Sequence, residues 1–207
     1  MISLIIVNYN SLKYLFKLLD SINKAISSKI PHEVIIIDNN SKELISHALF
    51  DDHKIKLYKL TKNVGYAKAI NFAVTKSSGD YIVIINPDVL LKTNAINYLY
   101  KCISSSDKIG VVGSKILNID KSFQYSSRRR FPYFKYIVPY KLKFHKFGLI
   151  NHYNYENFCK DKIHEVDSIS GCLMMFSKKI YNIVDGFDER FFLFFEETDF
   201  CIKVYDY

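Results

Sequence analysis

Three short polar segments follow apolar runs in this chain, and each carries residue types that could do chemistry. They are Asn8-Tyr9-Asn10, Asp38-Asn39-Asn40-Ser41 and Asn86-Pro87-Asp88. Asp38 is placed to accept hydrogen bonds from a nucleobase or ribose, and equally to cap a helix or close a turn, since Asp and Asn favour both. Asp88 is a hard oxygen ligand of the kind Mg2+ or Mn2+ takes in ones or twos, completing its shell with phosphate and water. A plain Pro turn explains it as well. A fourth segment, Glu196-Glu197-Thr198-Asp199, follows Phe191-Phe192-Leu193-Phe194-Phe195. Carboxylates crowded against an apolar wall have at least one pKa raised, which suits a general base. Acids opening a helix beside core aromatics are the other reading.

The elements that must position these segments alternate. Residues 2–7, 34–37 and 81–85 are continuous apolar runs, as in strands buried on both faces of a parallel sheet. Between them run helical periodicities: Leu12, Leu15, Leu19, Ile22 and Ile26 behind a capping Ser11, then Ala67, Ile70, Ala73 and Val74 within 66–76. A short helix over 42–50, a strand over 55–60, a helix behind Thr93 and a strand over 111–117 complete the pattern. A β-α-β rhythm of this kind demands parallel strands with right-handed crossovers, and ligands then bind at the carboxyl ends of the strands. The three polar segments fall at such ends. After Asn118 the rhythm fails until a strand-like stretch over 166–176, a short helix over 178–184 and a turn at Gly186. The chain thus reads as one α/β domain over 1–207 in two halves, 1–118 and 119–207.

Composition narrows the classes. Of 207 residues, 49% are hydrophobic and 24% charged, ordinary for a globular domain with a sizeable core. The four cysteines show no paired spacing and read as reduced core thiols; the six histidines show no ligand spacing and read as surface residues. No stretch reaches the ~20 apolar residues of a membrane span, and the N-terminus lacks the features of a signal peptide. A cytoplasmic location follows as the expectation, with peripheral contact at the inner face of the membrane.

The net charge of +8 is concentrated in Arg128, Arg129, Arg130, Lys135, Lys141, Lys143 and Lys146, interleaved with aromatics. Segment 128–147 reads as an interfacial patch drawn to anionic lipid, or as a loop whose aromatics pack inward while its charges stay solvated. Nucleic-acid binding is set aside, because it leaves the acidic strand ends unexplained. A nucleotidyltransferase would carry a Gly-rich basic loop after the first strand; here that loop is Asn8-Tyr9-Asn10-Ser11.

Taken in order, Val7-Asn8-Tyr9-Asn10, Ile37-Asp38-Asn39-Asn40-Ser41, Asn63-Val64-Gly65-Tyr66-Ala67, Asn71, Asn86-Pro87-Asp88, Gly171-Cys172-Leu173-Met174, Gly186 to Phe192 and Glu196-Glu197-Thr198-Asp199-Phe200-Cys201 resemble family 2 of the inverting glycosyltransferases, in its rhamnosyltransferase-like branch. The resemblance covers nearly the whole chain. It implies the GT-A fold, a Rossmann-like, mostly parallel sheet with flanking helices. It implies a nucleotide-sugar donor, dTDP-rhamnose by the branch or equally a UDP- or GDP-sugar, a glycan or lipid-linked glycan acceptor, and a divalent metal, Mn2+ or Mg2+.

By the same resemblance Asp38 contacts the nucleobase, with Asn8 and Tyr9 lining the same pocket, and Asn40 is a donor-binding residue. Asn63, Gly65 and Asn71 approach the ribose and diphosphate. Asn86-Pro87-Asp88 matches the metal motif with Asn in place of its first Asp, so Asp88 holds the metal and Asn86 counts with the donor-binding residues. Gly171 floors the donor-sugar and acceptor site. Glu196-Glu197 matches the Glu-Asp pair whose second member is the catalytic base. Here the second member is Glu197, longer by one methylene, so Glu196 and Asp199 stay open as alternatives for the base. Family members continue past the acidic motif to a histidine at the metal site. The chain is therefore expected to be short at its C-terminus, and an inactive relative that binds nucleotide without turnover is the alternative.

Overall fold

The computed structural model describes residues 1–43, 45, 54–142 and 153–207. Most of the helix expected over 42–50 lies outside them, as do His47, His53, Lys143, Phe144, His145, Lys146, Phe147 and His152.

Strands β1 (Ile2–Asn8), β2 (His32–Asp38), β3 (Ile55–Lys59), β4 (Tyr81–Ile85), β5 (Val111–Gly113) and β8 (Leu173–Ser177) form one sheet in the order β3-β2-β1-β4-β8-β5. The first four run parallel, with Ile6 opposite both Ile36 and Ile85. β8 enters antiparallel between β4 and β5, with Leu173 opposite Ile85 and Met174 opposite Gly113. The rhythm of the first half predicts parallel strands; the strand that splits β4 from β5 comes from the second half. The strand expected over 111–117 stops at Gly113, beneath which the Ile169 side chain sits so closely that a Cβ would lie 2.7 Å from it.

Both sheet faces are covered, which is why the strand sequences are unbroken apolar runs. Leu4, Ile6, Val34, Ile36, Val83, Ile85 and Met175 point to one face and pack against α1 (Leu12–Ala25) and α3 (Ala95–Ile103). Ile5, Val7, Ile35, Ile37, Ile82, Ile84, Met174 and Phe176 point to the other. That second face meets α2 (Tyr66–Lys76) and, through Phe200, α6 (Glu196–Asp206). The two-residue alternation of a strand sorts one apolar run onto two helix layers. Neither expected cap is made by its side chain: the Ser11 hydroxyl turns back to Asn8 Oδ1, and α3 begins after Asn94 rather than Thr93.

The second half adds a small ribbon, β6 (Arg128–Arg129) against β7 (Ser168–Ile169), with α4 (Phe134–Lys141) beyond it. The stretch 166–176 is therefore two strands, β7 and β8, separated by a turn at Gly171. α5 (Lys178–Ile183) follows β8, capped by the Ser177 hydroxyl on the Ile180 N–H. Phe187 and Phe200 stack with centroids 4.5 Å apart and planes 11° apart, and Phe176 lies 4.9 Å from Phe200. This aromatic stack seats α6 on the sheet and thereby fixes where its acidic first turn points.

One buried acid lies outside all of this. At the amino edge of the sheet, Glu33 accepts from the Ser3 hydroxyl and the Ser78 N–H at 2.6 Å each and from Lys56 Nζ at 2.7 Å. These bonds draw the carboxyl below its usual range although burial opposes them. The group ties three elements together.

Candidate active site

The chain goes from β1 out to β3 and returns through α2 to β4 on the far side of β1. The strand order therefore reverses between β1 and β4, and a crevice opens at the carboxyl edge there. A continuous line of contacts runs along that edge. Asn8 Nδ2 donates to Ser41 Oγ at 3.0 Å and to Asp38 Oδ1 at 3.4 Å, and Asp38 Oδ1 also accepts from the Ser41 N–H. Asn8 and Asp38 are buried, while Tyr9 and Asn40 are exposed beside them. Asn10 and Asn40 hold positive φ, a conformation Asn tolerates better than most side chains.

Asn39, which the sequence names within its polar segment but gives no role of its own, carries the line onward. Its amide nitrogen donates to Asn63 Oδ1 at 2.9 Å and to the Gly65 carbonyl, and its Oδ1 accepts from the Val64 N–H. Gly65 opens α2 at φ +86°, and an added Cβ would lie 2.7 Å from the Phe192 carbonyl oxygen. Only glycine meets both demands. That same oxygen accepts from the Tyr66 N–H at 2.8 Å. The Tyr66 hydroxyl donates to Asn86 Oδ1 at 2.8 Å, and burial pushes its phenol far above the ordinary range.

The Asn86 N–H donates to the Cys172 carbonyl, and neighbouring Gly171 lies so close to Glu197 that a Cβ would stand 3.3 Å from the Glu197 Cβ. Gly171 therefore abuts the acidic pair. Asp88 is exposed in the turn after β4.

The acidic pair is buried, Glu196 and Glu197 being 4% and 7% exposed at the start of α6. Glu197 Oε1 accepts from Arg129 of β6. Glu196 Oε2 is buried without a hydrogen-bond partner. Burial, helped by the Glu197 charge, raises the Glu196 carboxyl to about 7 against partial relief from its own backbone N–H and from Arg129. The expected apolar wall is absent: Phe192, Leu193, Phe194 and Phe195 are 46–69% exposed, with Phe194 and Phe195 both at positive φ. Desolvation comes instead from seating the first turn of α6 on the sheet.

Asn71 stands apart from this line. Its Oδ1 accepts from the Tyr181 hydroxyl and the Phe187 N–H, and its Nδ2 donates to the Phe187 carbonyl and to Glu189. Every hydrogen-bonding position of its amide is thus engaged in clamping α2 to the turn before α6. The groove of about 420 Å³ beside it, lined by Lys68, Thr75 and Asp185 among others, contains none of Asp38, Asp88 or Glu197.

The basic segment also departs from expectation. Arg128 donates to the Tyr155 and Phe158 carbonyls, Arg129 pairs with Glu197, and Arg130 lies 4.5 Å from the Tyr155 ring centroid. All three are half-buried, so the arginines of 128–147 belong to the interior; exposed Lys135 and Lys141 on α4 remain outside. Guanidinium, planar and weakly hydrated, accepts such burial where ammonium does not. Four cysteines are free, Cys201 buried but Cys159 exposed, against the expectation of core thiols. His32 and His164 are half-buried, each with a ring nitrogen against a backbone carbonyl.

Among the described residues no group of three or more His, Cys, Asp or Glu gathers as a metal site. A single exposed Asp88 still fits an ion that draws its remaining ligands from phosphate and water.

A reversing parallel sheet with a polar carboxyl edge and an acidic helix opposite is the GT-A arrangement, and solved structures share it. A Pyrobaculum calidifontis mannosyltransferase in complex with GDP-Man and Mn2+ superposes at a TM-score of 0.66 with 16% identity, over 98% of this chain and 51% of that one. Staphylococcus aureus TarS superposes at 0.68 with 17% identity, over 99% and 33%. The model of glycosyl transferase family 2 matches residues 3–183, and the chain belongs to that family. Its relatives include the glycosyltransferase GlyG of Streptococcus pneumoniae serotype 4, 29% identical over 59% of this chain and 41% of GlyG. The rhamnosyltransferase WbbL of Escherichia coli K12 is 25% identical over 99% and 76%. The N-acetylglucosaminyl-diphospho-decaprenol L-rhamnosyltransferase of Mycobacterium tuberculosis is 23% identical over 93% and 66%. These place the chain in the rhamnosyltransferase-like branch. The chain spans 41–62% of the length of the first three curated relatives it matches. Among the described residues no helix is long and apolar enough to cross a membrane.

Proposed function

We propose that this chain transfers a sugar, rhamnose from dTDP-rhamnose, to a glycan or lipid-linked glycan acceptor with inversion at the anomeric carbon. The observation that carries the reading is the unbroken line of contacts from Asp38 to Glu197 along the carboxyl edge. It supports the reading by linking the polar strand ends around Asp38 to the buried acid pair along one edge of the sheet.

Asp38, Asn8, Tyr9 and Asn40 receive the base and ribose, and Asn63 and Gly65 shape the approach of the diphosphate. Asp88 would hold Mg2+ or Mn2+, which when bound neutralises charge on the departing diphosphate. Glu197 takes the proton of the acceptor hydroxyl as that oxygen attacks the anomeric carbon and the sugar–phosphate bond breaks. Glu196 stands beside it, and Tyr66 holds the Asn86 side chain through its hydroxyl. Asn71 is assigned to the scaffold. The acceptor side includes α4, whose exposed Phe134, Lys135 and Lys141 suit the surface of a membrane bearing a lipid-linked acceptor.

Calorimetric titration with dTDP, UDP and GDP, each with and without Mn2+, tests the donor pocket. Metal-dependent binding of dTDP alone is expected; binding of UDP or GDP instead reassigns the donor, and binding of none removes the pocket. A second reading, a relative that binds nucleotide without turnover, is favoured by one observation: Arg129 already occupies Glu197 Oε1. Release of dTDP from dTDP-rhamnose in the presence of a polyprenyl-diphosphate-linked sugar separates the two.

A further inference from the structure

We propose that Arg129 is a positioning residue for the acidic pair: the β6–β7 ribbon exists to hold its guanidinium against Glu197, fixing one carboxylate and leaving Glu196 as its unpaired neighbour. The inference rests on the transferase reading of this crevice.

Three observations carry it. The first is the distribution of buried side-chain polar atoms without a hydrogen-bond partner among the described residues. They are Nε of Arg128, Arg129 and Arg130, and Glu196 Oε2, Thr198 Oγ1 and Asp199 Oδ2. All six fall in two short segments, and the Arg129–Glu197 ion pair joins those segments across 68 residues of sequence. Such atoms are uncommon in folded proteins, and clustering of this kind marks a place shaped for something other than stability.

The second is the construction of the ribbon. It is two residues long, Arg128 opposite Ile169 and Arg129 opposite Ser168, and the Ser170 N–H closes it on the Ser127 carbonyl. Its neighbours are tied down: Arg128 to two carbonyls, Arg130 between the rings of Tyr136 and Tyr155, and the Phe131 N–H to Asp167. Among the described residues the side chain of the arginine between them has one hydrogen-bond partner, Glu197. A buried ion pair is a weak source of stability, so this much bracing around one guanidinium points to geometry.

The third is the missing space at Gly171, where the close approach to Glu197 leaves the side chain little freedom on that side. Arg129 and Gly171 together leave Glu197 little room to move.

The charged and titratable groups around the pair are Arg129 of β6, Tyr66 of α2 and, near Glu197, Tyr153 and Cys201. Arg129 is the cation among them, so its removal must be felt electrostatically by Glu196 as well as sterically by Glu197. Infrared titration of the buried carboxyl, identified by its loss in Glu196→Gln, would be compared in the wild type, Arg129→Met and Arg129→Lys. Turnover would be followed in parallel.

In Arg129→Met the carboxyl titration should move upward in pH from about 7. Its kcat should fall about a hundredfold, the scale of an ångström's misplacement, at unchanged donor KM. Arg129→Lys, which keeps the charge but not the fork, should restore the titration and only part of kcat. An unmoved titration in Arg129→Met overturns the proposal. So does an Arg129→Lys variant as inactive as Arg129→Met with a raised donor KM, because the ribbon would then serve only as scaffold. The titration needs no substrate. If no nucleotide binds, the transferase reading fails, and the titration still decides whether Arg129 governs the pair.

Discussion

On the side of the crevice proposed to take the donor, the polar side chains answer one another. Asn8, Asp38, Asn39, Ser41 and Asn63 exchange hydrogen bonds between 2.9 and 3.4 Å and none keeps a buried unpaired atom. On the acidic side the reverse holds: among the described residues six buried atoms lack a hydrogen-bond partner around the Arg129–Glu197 ion pair, and of these Asp199 Oδ2 has only Lys203 Nζ, at 3.6 Å. The donor side is made of loops that leave adjacent parallel strands, so its partners are neighbours by construction. The acidic side is assembled from a ribbon, a turn and a helix that meet only in the folded chain. A satisfied side is stable before ligand arrives; an unsatisfied one keeps free energy in reserve for the groups it will meet.

The largest expected effect that could break this contrast belongs to Asp88, which is exposed at the edge of the crevice and takes no part in the core. Asp88→Ala should lower turnover about a thousandfold or more and weaken metal-dependent nucleotide binding, with thermal stability unchanged. Unchanged turnover removes Asp88 from the site.

Next comes the scaffold under the acidic side. Phe200→Ala, which removes the ring stacked on Phe187, should destabilise the fold by about 3–5 kcal/mol in chemical denaturation, as large-to-small core changes do. Asn71→Ala should cost about 2 kcal/mol by stranding the Phe187 backbone groups while leaving nucleotide affinity alone. Weakened nucleotide binding at unaltered stability would return Asn71 to the donor site.

The acidic side also predicts a pH dependence. Glu196 titrates at about 7 in the fold against 4.5 unfolded, so across that window the native chain binds more protons than the unfolded one. Stability therefore falls as pH rises from about 4.5 to 7, and it is lowest, on this account, above 7. Glu196→Gln should flatten that slope and be the more stable protein at pH 8 by on the order of 2 kcal/mol. Parallel curves for the two proteins would mean that the carboxyl is solvated after all.

The smallest effect sharpens the outer edge of the comparison. Lys135→Ala with Lys141→Ala should change stability by no more than about 0.5 kcal/mol. The same pair of substitutions should reduce salt-sensitive co-sedimentation with anionic vesicles. No loss of co-sedimentation would take α4 off the membrane.

How much of this was legible in the sequence follows the same divide. Residues 66–76 read as a helix and are one, and the polar ends of β1, β2 and β4 mark the crevice, because strand alternation and helical spacing are local and the rhythm of a parallel sheet is forced. Gly65 was visible as part of a motif, but its φ of +86° and the Phe192 oxygen above it were not. The arginines of 128–130 read as a charged surface because composition records charge and not direction. Their burial depends on aromatic rings and carbonyls some thirty residues away.

The sequence by itself determined a two-faced apolar sheet, its helix layers and the polar strand ends, since these follow from periods of 2 and 3.6 residues that any short window displays. Only the tertiary structure decided that β8 enters antiparallel beside β4, that Asn71 clamps a turn, and that Arg129 meets Glu197 while Glu196 stands unpaired. Each of those is a contact between residues distant along the chain, and its free energy depends on burial and direction that no local window contains.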